Sequence, residues 1–427
     1  MFMDHVIYSK DCIFDTDCNI TGINNNAIIC GPSGSGKTMS ITEPYILESF
    51  NRSLVITVTK KRIVNKYTPL LKKRGYLVQD LDLANPQNGN IGFDPLKQIC
   101  SYQDITFLAD SIVKADPKKN KSNSDPYWDQ GASSLLCALI SYVLMTYKNP
   151  SFTDVLDMLI RLKFTDRGSQ VSTSYDSDFE YLEALDPTCF AVSCWKSFSM
   201  LPVKTAGCIY STLQTTVDNI FTPQIKKMMK MKKQIDIERI GCQKSVLFIT
   251  TSPVNSALHF FVNMLYGHIF RQLFEFAETL PSGVLPIPVQ IIADDFATGA
   301  KILNFADITS IVREKNIGFV LLAQSESQIS GIYGSDDATT IINNCDTYVY
   351  MGGNDLKTAQ NVSLKLNVPL DEVLYMPIGQ EIVFRRGQRP MITERYDIMQ
   401  DKVYQQVTSE YEKKYVLTHV SLQIILL

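Results

Sequence analysis

Eight consecutive residues, Gly31, Pro32, Ser33, Gly34, Ser35, Gly36, Lys37 and Thr38, constrain this chain more than anything else in it. They fill every fixed position of the phosphate-binding loop, G-x-x-x-x-G-K-[ST]. The flanks fit too: the apolar run Ala27–Cys30 reads as a strand entering the loop, and Met39–Phe50 as a helix leaving it. Glycines let main-chain N–H groups close around phosphates, and the helix N-terminus adds a favourable dipole. On this reading Lys37 reaches the β- and γ-phosphates as a point charge, and the Thr38 hydroxyl sits on Mg2+. A Gly/Ser-rich turn is the plain alternative, but a chance match in this strand–loop–helix context is rare. The chain is expected to bind a nucleoside triphosphate, ATP with Mg2+.

At 427 residues, one to three domains with real cores are expected. The net charge of −3 gives no overall basic field, so a polyanion would need a local patch or channel. The ten cysteines are scattered, with no CxxC pair and only four histidines beside them. They read as small core residues rather than zinc ligands, in a reducing, cytoplasmic setting. No signal peptide is visible. The longest apolar run, Leu135–Met145, is broken by Ser141 and falls well short of the ~18 residues that suggest a bilayer span. The chain as given is expected not to cross a membrane.

Strand and helix patterns alternate from Ala27 to about Pro95, with strands expected at Ser53–Thr59 and Tyr76–Leu81. Helical patterns fill the next stretch, interrupted by loop-like clusters such as Lys118–Ser124. Strands return at Ser245–Thr251, Val289–Ala293, Gly318–Ala323 and Thr347–Met351. Strands alternating with helices predict a mostly parallel sheet covered on both faces. The simplest organisation is α/β: residues 1–96 and 241–395 form a nucleotide-binding domain, residues 97–240 an all-α insert, and residues 396–427 a C-terminal tail.

A second site element should be acidic and end a buried strand. Val289–Ala293 leads into Asp294 and Asp295. Asp294 would hold Mg2+ through its coordination shell, and Asp295 would act as general base or orient water. Two aspartates could also simply cap the following helix. Gln324 ends the next strand, where it could bond the γ-phosphate or its water, or merely cap a turn. Arg313 lies on the approach to that strand. It is either a finger reaching a neighbouring subunit's nucleotide or a surface charge.

Taken together these residues resemble the type IV secretion coupling proteins, the ATPases that feed DNA to conjugation machines. The likeness runs through Asn26 and the phosphate loop, then Phe93–Leu96, Asp125–Trp128, Lys204-Thr205 and Leu285–Val289. It continues through Asp294–Ala297, Arg313, Gln324-Ser325 with Gln328, Tyr333-Gly334, Asn344–Asp346 and Met351–Asp355. The resemblance implies a RecA-like domain with an all-α insert, assembled as a homo-hexamer around DNA. It implies single-stranded, sequence-independent DNA contacts, a relaxase or protein cargo, and membrane-bound secretion components that could hold the protein at the cytoplasmic face.

Three departures stand out. The motor motifs start almost at Met1, without the two N-terminal membrane helices usual in the family, so the chain is expected either to dock on a membrane partner or to have its anchor encoded or expressed separately. Val58-Thr59-Lys60-Lys61 replaces the family's Asp-Pro-Lys-Gly. Asp295 stands for the family's Glu and is one methylene shorter, so hydrolysis is expected to be slow or to need DNA and a neighbour. A nucleotide-gated substrate receptor with little turnover is the competing function. For DNA, Lys226, Lys230 and Lys233 have the spacing of one helical face, though a solvated helix end is the commoner explanation of a lysine run. Trp128 and Trp195 could stack on bases or pack in the core. Arg385, Arg386 and Arg389 carry no assignment.

Overall fold

The structure, a computed structural model, describes residues 4–114, 126–167, 170–252, 256–296 and 301–425. The Lys118–Ser124 cluster, Asp125 and Ala297 lie outside them. A short antiparallel hairpin, β1 (His5–Ser9) and β2 (Cys12–Asp15), precedes the strand that enters the loop, β3 (Ala27–Cys30). Next come β4 (Ser53–Val58) and β5 (Leu77–Asp82), a small hairpin of β6 (Phe164–Arg167) and β7 (Gln170–Thr173), then β8 (Ser245–Thr250) and β9 (Val289–Ala293). The last four are β10 (Ile317–Ala323), β11 (Thr347–Tyr350), β12 (Gln380–Arg385) and β13 (Met391–Glu394).

The main sheet runs β13-β12-β11-β3-β10-β9-β4-β8-β5. From β11 to β5 every pairing is parallel; β12 is antiparallel to both its neighbours. The central strands β3 (AIIC) and β10 (IGFVLLA) are buried at every residue. That is why their sequences read as unbroken apolar runs rather than alternating ones: both faces are covered. Ile28 and Leu321 point into one core, shared with the helical region, while Ile29 and Leu322 point into the other. The second core is roofed by the helix Lys61–Lys73 and the start of the C-terminal helix Lys402–Ile425.

Between β5 and β8 the chain is mainly helical, and its helix starts are written locally. Ser101 with Asp104, and Ser151 with Asp154, form capping boxes that open the helices Tyr102–Val113 and Phe152–Arg161. Asp94, fully buried, accepts from the amides of Leu96 and Phe152 at 3.0 and 3.1 Å. It thereby ties the end of the sheet's first half to the insert. The expected all-α insert also carries the β6–β7 hairpin, antiparallel from Phe164↔Thr173 to Arg167↔Gln170.

The lysine face is corrected. The helix is only Pro223–Met229, so Lys230 caps it and Lys233 lies beyond it. The chain is drawn off axis by tertiary pairing: the amide of Gly92 donates to the Lys233 carbonyl at 2.8 Å, and Ile235 returns a bond to Gly92 at 2.9 Å. The two aromatics separate as well. Trp195 is buried and stacked on Phe179 at 4.1 Å between centroids, whereas Trp128 is 41% exposed beside a 45% exposed Tyr127.

Candidate nucleotide site

Three neighbouring parallel strands end together, and their register fixes the site. Ala323 of β10 pairs with Cys30 of β3, and Leu321 pairs with Ala293 of β9. The residues that follow, Gly31, Gln324 and Asp294, therefore emerge at one edge of the sheet. The loop and the acidic strand are separated by a single strand, β10.

The loop leaves β3 and turns through Gly34 (φ +82°) and Gly36 (φ +90°), conformations that a side chain resists. It enters a π-helical turn at Thr38–Thr42 and an α-helix at Glu43–Leu47, in place of one uniform helix. Lys37 is 8% exposed and donates to the carbonyls of Gly31 and Pro32 at 2.6 and 3.1 Å. Burial lowers its pKa, opposed by the negative charges of Asp294 and then Asp295. The Thr38 hydroxyl donates to Asp294 Oδ2 at 2.9 Å. Burial raises the Asp294 carboxyl, and the Thr38 hydrogen bond pulls it back. A hydroxyl and a carboxylate side by side make a hard-oxygen pair of the kind Mg2+ takes.

Asp295 has a left-handed backbone (φ +55°), which aspartate adopts more readily than most residues. Its amide donates to Asp294 Oδ1 at 3.1 Å, and the next amide, of Phe296, donates to the Leu322 carbonyl at 2.9 Å. Phe296 then stacks on Tyr333, whose hydroxyl accepts from the Ile302 amide at 3.1 Å. Gln324 is exposed, and its backbone amide donates to Gln328 Oε1 at 2.9 Å. With Pro32, Ser325, Tyr350, Gly353 and Asn354 it borders a cleft of about 180 Å3 beside the loop.

Arg313 is not part of this constellation. It precedes the amino end of β10, while Gln324 follows the carboxyl end. A seven-residue strand spans roughly 20 Å at ~3.3 Å per residue. Arg313 Nη2 instead donates to the Gly22 carbonyl at 3.3 Å, and Arg386 Nη2 meets the same oxygen at 2.7 Å. Nearby, Asp346 accepts from the Asn24 amide at 2.7 Å, and Asn26 accepts from the Phe319 amide at 3.2 Å. These motif residues clamp the amino ends of β3, β10 and β11.

Some neighbours of the site carry no sequence signal. Tyr266 donates to the Ile292 carbonyl at 3.3 Å and bonds the Thr57 hydroxyl, walling a small polar cleft next to Asp294 and Asp295. Arg395, past the end of β13, reaches the loop itself and bonds the Ser35 carbonyl.

Solved structures share this fold. The bacterial conjugative coupling protein TrwB, in a trigonal form with sulphate, is 17% identical with a TM-score of 0.64, covering 87% of this chain and 85% of that one. TrwB with the GTP analogue GDPNP gives 0.65 at the same identity and coverage. VirB4 of Thermoanaerobacter pseudethanolicus is 11% identical with a TM-score of 0.56, covering 92% and 96%. These likenesses establish the fold: a RecA-like α/β domain with a mainly helical region inserted. No curated protein matches in sequence. The family model for type IV secretory system conjugative DNA transfer matches residues 6–367. The chain belongs to that family, the conjugative coupling proteins of type IV secretion.

Proposed function

We propose that this chain is an ATP-driven, DNA-translocating coupling protein that delivers conjugative DNA, as a relaxase–DNA complex, to a type IV secretion channel. The observation that carries the reading is the 2.9 Å contact between Thr38 and Asp294 beside a complete phosphate loop, in a chain of this family. TrwB has been solved with ADPNP and with ADP and Mg2+, and we assign the same ligand classes here. When bound, Mg2+ would neutralise charge on the phosphate oxygens. Thr38 and Asp294 would hold it.

The protein's own groups divide the remaining work. The loop amides from Ser33 to Thr38 cradle the phosphates, Pro32 having no N–H and the Gly31 amide being bonded to the Ala323 carbonyl, and Lys37 exchanges two loop carbonyls for phosphate oxygens. Asp295 orients a water and accepts its proton, and Gln324 bonds the γ-phosphate from the neighbouring strand end. Arg313 serves the site of an adjacent subunit in a homo-hexamer, because its own site is a strand length away. DNA is held in single-stranded form without sequence preference, by lysines such as Lys226, Lys227 and Lys230 and by stacking on Tyr127 and Trp128. Among the described residues no helix is long and apolar enough to cross a membrane. Recruitment to the cytoplasmic face of the membrane is assigned to membrane-bound secretion components.

The receptor reading has one observation in its favour. Asp295 is short and held in a left-handed backbone, which restricts where its carboxylate can place water. ATP hydrolysis measured with and without single-stranded DNA separates the two. A motor turns over faster with DNA. ATP binding with no DNA-stimulated turnover selects the receptor.

A further inference from the structure

Arg395 approaches the phosphate loop from a part of the chain that the loop motif does not contain. Its backbone is pinned by the β12–β13 hairpin, where its amide donates to the Gly379 carbonyl at 2.8 Å. Its side chain crosses to the loop and Nη1 donates to the Ser35 carbonyl. Gly36 makes the approach possible: a Cβ there would lie 2.5 Å from Nη1 and 3.2 Å from Cζ. One glycine thus serves both the turn of the loop and the passage of a guanidinium.

Among the described residues the Ser35 carbonyl is the one hydrogen-bond partner of this guanidinium, which has five N–H donors in a planar fork. Lys37 is placed in the same way, on the neutral carbonyls of Gly31 and Pro32. Phosphate oxygens are stronger acceptors than carbonyls for both cations, and a fork suits phosphate bidentately.

Glu381 on β12 is fully buried, and neither carboxylate oxygen has a hydrogen-bond partner among the described residues. Burial pushes its carboxyl up to about 8, and the charge of Arg395 pulls it down. An unpartnered charge is costly to bury, which is why the carboxyl is raised.

We infer that Arg395 is a phosphate-binding residue supplied by the same chain, a second cation for the triphosphate beside Lys37. The inference rests on the nucleotide reading of the loop. Charge enters the site from two directions: Lys37 from within the loop and Arg395 across Gly36 from the edge hairpin. Phosphate binding then also reports on the position of β13 and of the C-terminal helix that follows it.

The test titrates the full chain with ATP and with pyrophosphate. Arg395→Ala should weaken both roughly 10- to 100-fold, the range for a hydrogen bond to a charged group, and Arg395→Lys should recover part of the loss. Should the alanine variant fail to fold, Arg395→Met keeps the apolar stem and carries the same expectation. Binding by Arg395→Ala within twofold of wild type, with Lys37→Ala unable to bind, overturns the inference and leaves the nucleotide reading intact. A wild-type chain that binds neither probe overturns both.

Discussion

The two ends of the central strands are built from opposite chemistry. At the carboxyl ends of β3, β10 and β9 stand the phosphate loop, Gln324 and the Asp294–Asp295 pair, where we propose that phosphates and a divalent cation bind. At the amino ends stand Arg313 and Arg386 on one carbonyl, with Asp346 and Asn26 clamping the backbone. One end lacks an arginine from β10's approach, and the other displays arginines with no phosphate loop of their own. A strand cannot bend to bring its ends together. What the difference teaches is that, if Arg313 acts in catalysis, it acts on another copy of this chain.

The largest expected effect lies at the carboxyl end. Asp295→Asn should bind ATP normally and lose turnover, since an amide cannot accept the water's proton. Asparagine also tolerates the left-handed backbone, so the fold should be kept. Unchanged turnover would remove Asp295 from the mechanism. At the other end, Arg313→Ala should keep nucleotide affinity but lose the rise of activity with protein concentration, by as much as ~10³-fold. An activity per chain that is flat with concentration in the wild type would erase the contrast between the two ends.

Asp295→Glu sharpens the comparison with a smaller change. Restoring the missing methylene should speed hydrolysis, up to ~10²-fold if the carboxylate is now about 1 Å short. Glutamate takes φ +55° less readily than aspartate, which limits the gain. A slower Asp295→Glu variant would show that the backbone has adjusted to the shorter residue.

The smallest effect concerns the edge hairpin. Glu381 has its carboxyl raised to about 8, against about 4.3 in an unfolded chain. The folded state therefore binds the extra proton, and the associated stability is full below ~4.3 and lost as pH rises through about 8. Wild-type protein should lose thermal stability relative to Glu381→Gln over that window and run parallel to it at higher pH. Parallel melting midpoints throughout would mean that Glu381 titrates normally.

Much of the nucleotide site is legible in the sequence because its determinants are local. Gly31–Thr38 is one contiguous motif, and Val289–Asp295 pairs a buried strand with its terminal acids in seven residues. The strands Ser53–Val58 and Ser245–Thr250 fall within one residue of the apolar runs that announce them. Arg395 and Tyr266 are not legible, because each reaches the site through the order of strands and helices rather than through sequence spacing. The lysine run misleads for a related reason: its spacing is helical, but pairing of Gly92 with Lys233 ends the helix at Met229. Asn344–Asp346 is visible as a motif, yet only the structure shows it holding Asn24 and Asn26 at the far end of the sheet from the phosphate loop.

The central claim, that one chain's carboxyl-end site is completed by another chain's amino-end arginine, is tested most directly by mixing two inactive variants. Arg313→Ala supplies an intact Asp295, and Asp295→Asn supplies an intact Arg313. The account predicts that ATPase activity recovers on mixing, in proportion to the interfaces that join the two intact residues. No recovery, with mixed assembly demonstrated, would contradict it and leave Arg313 as a surface charge bonded to Gly22.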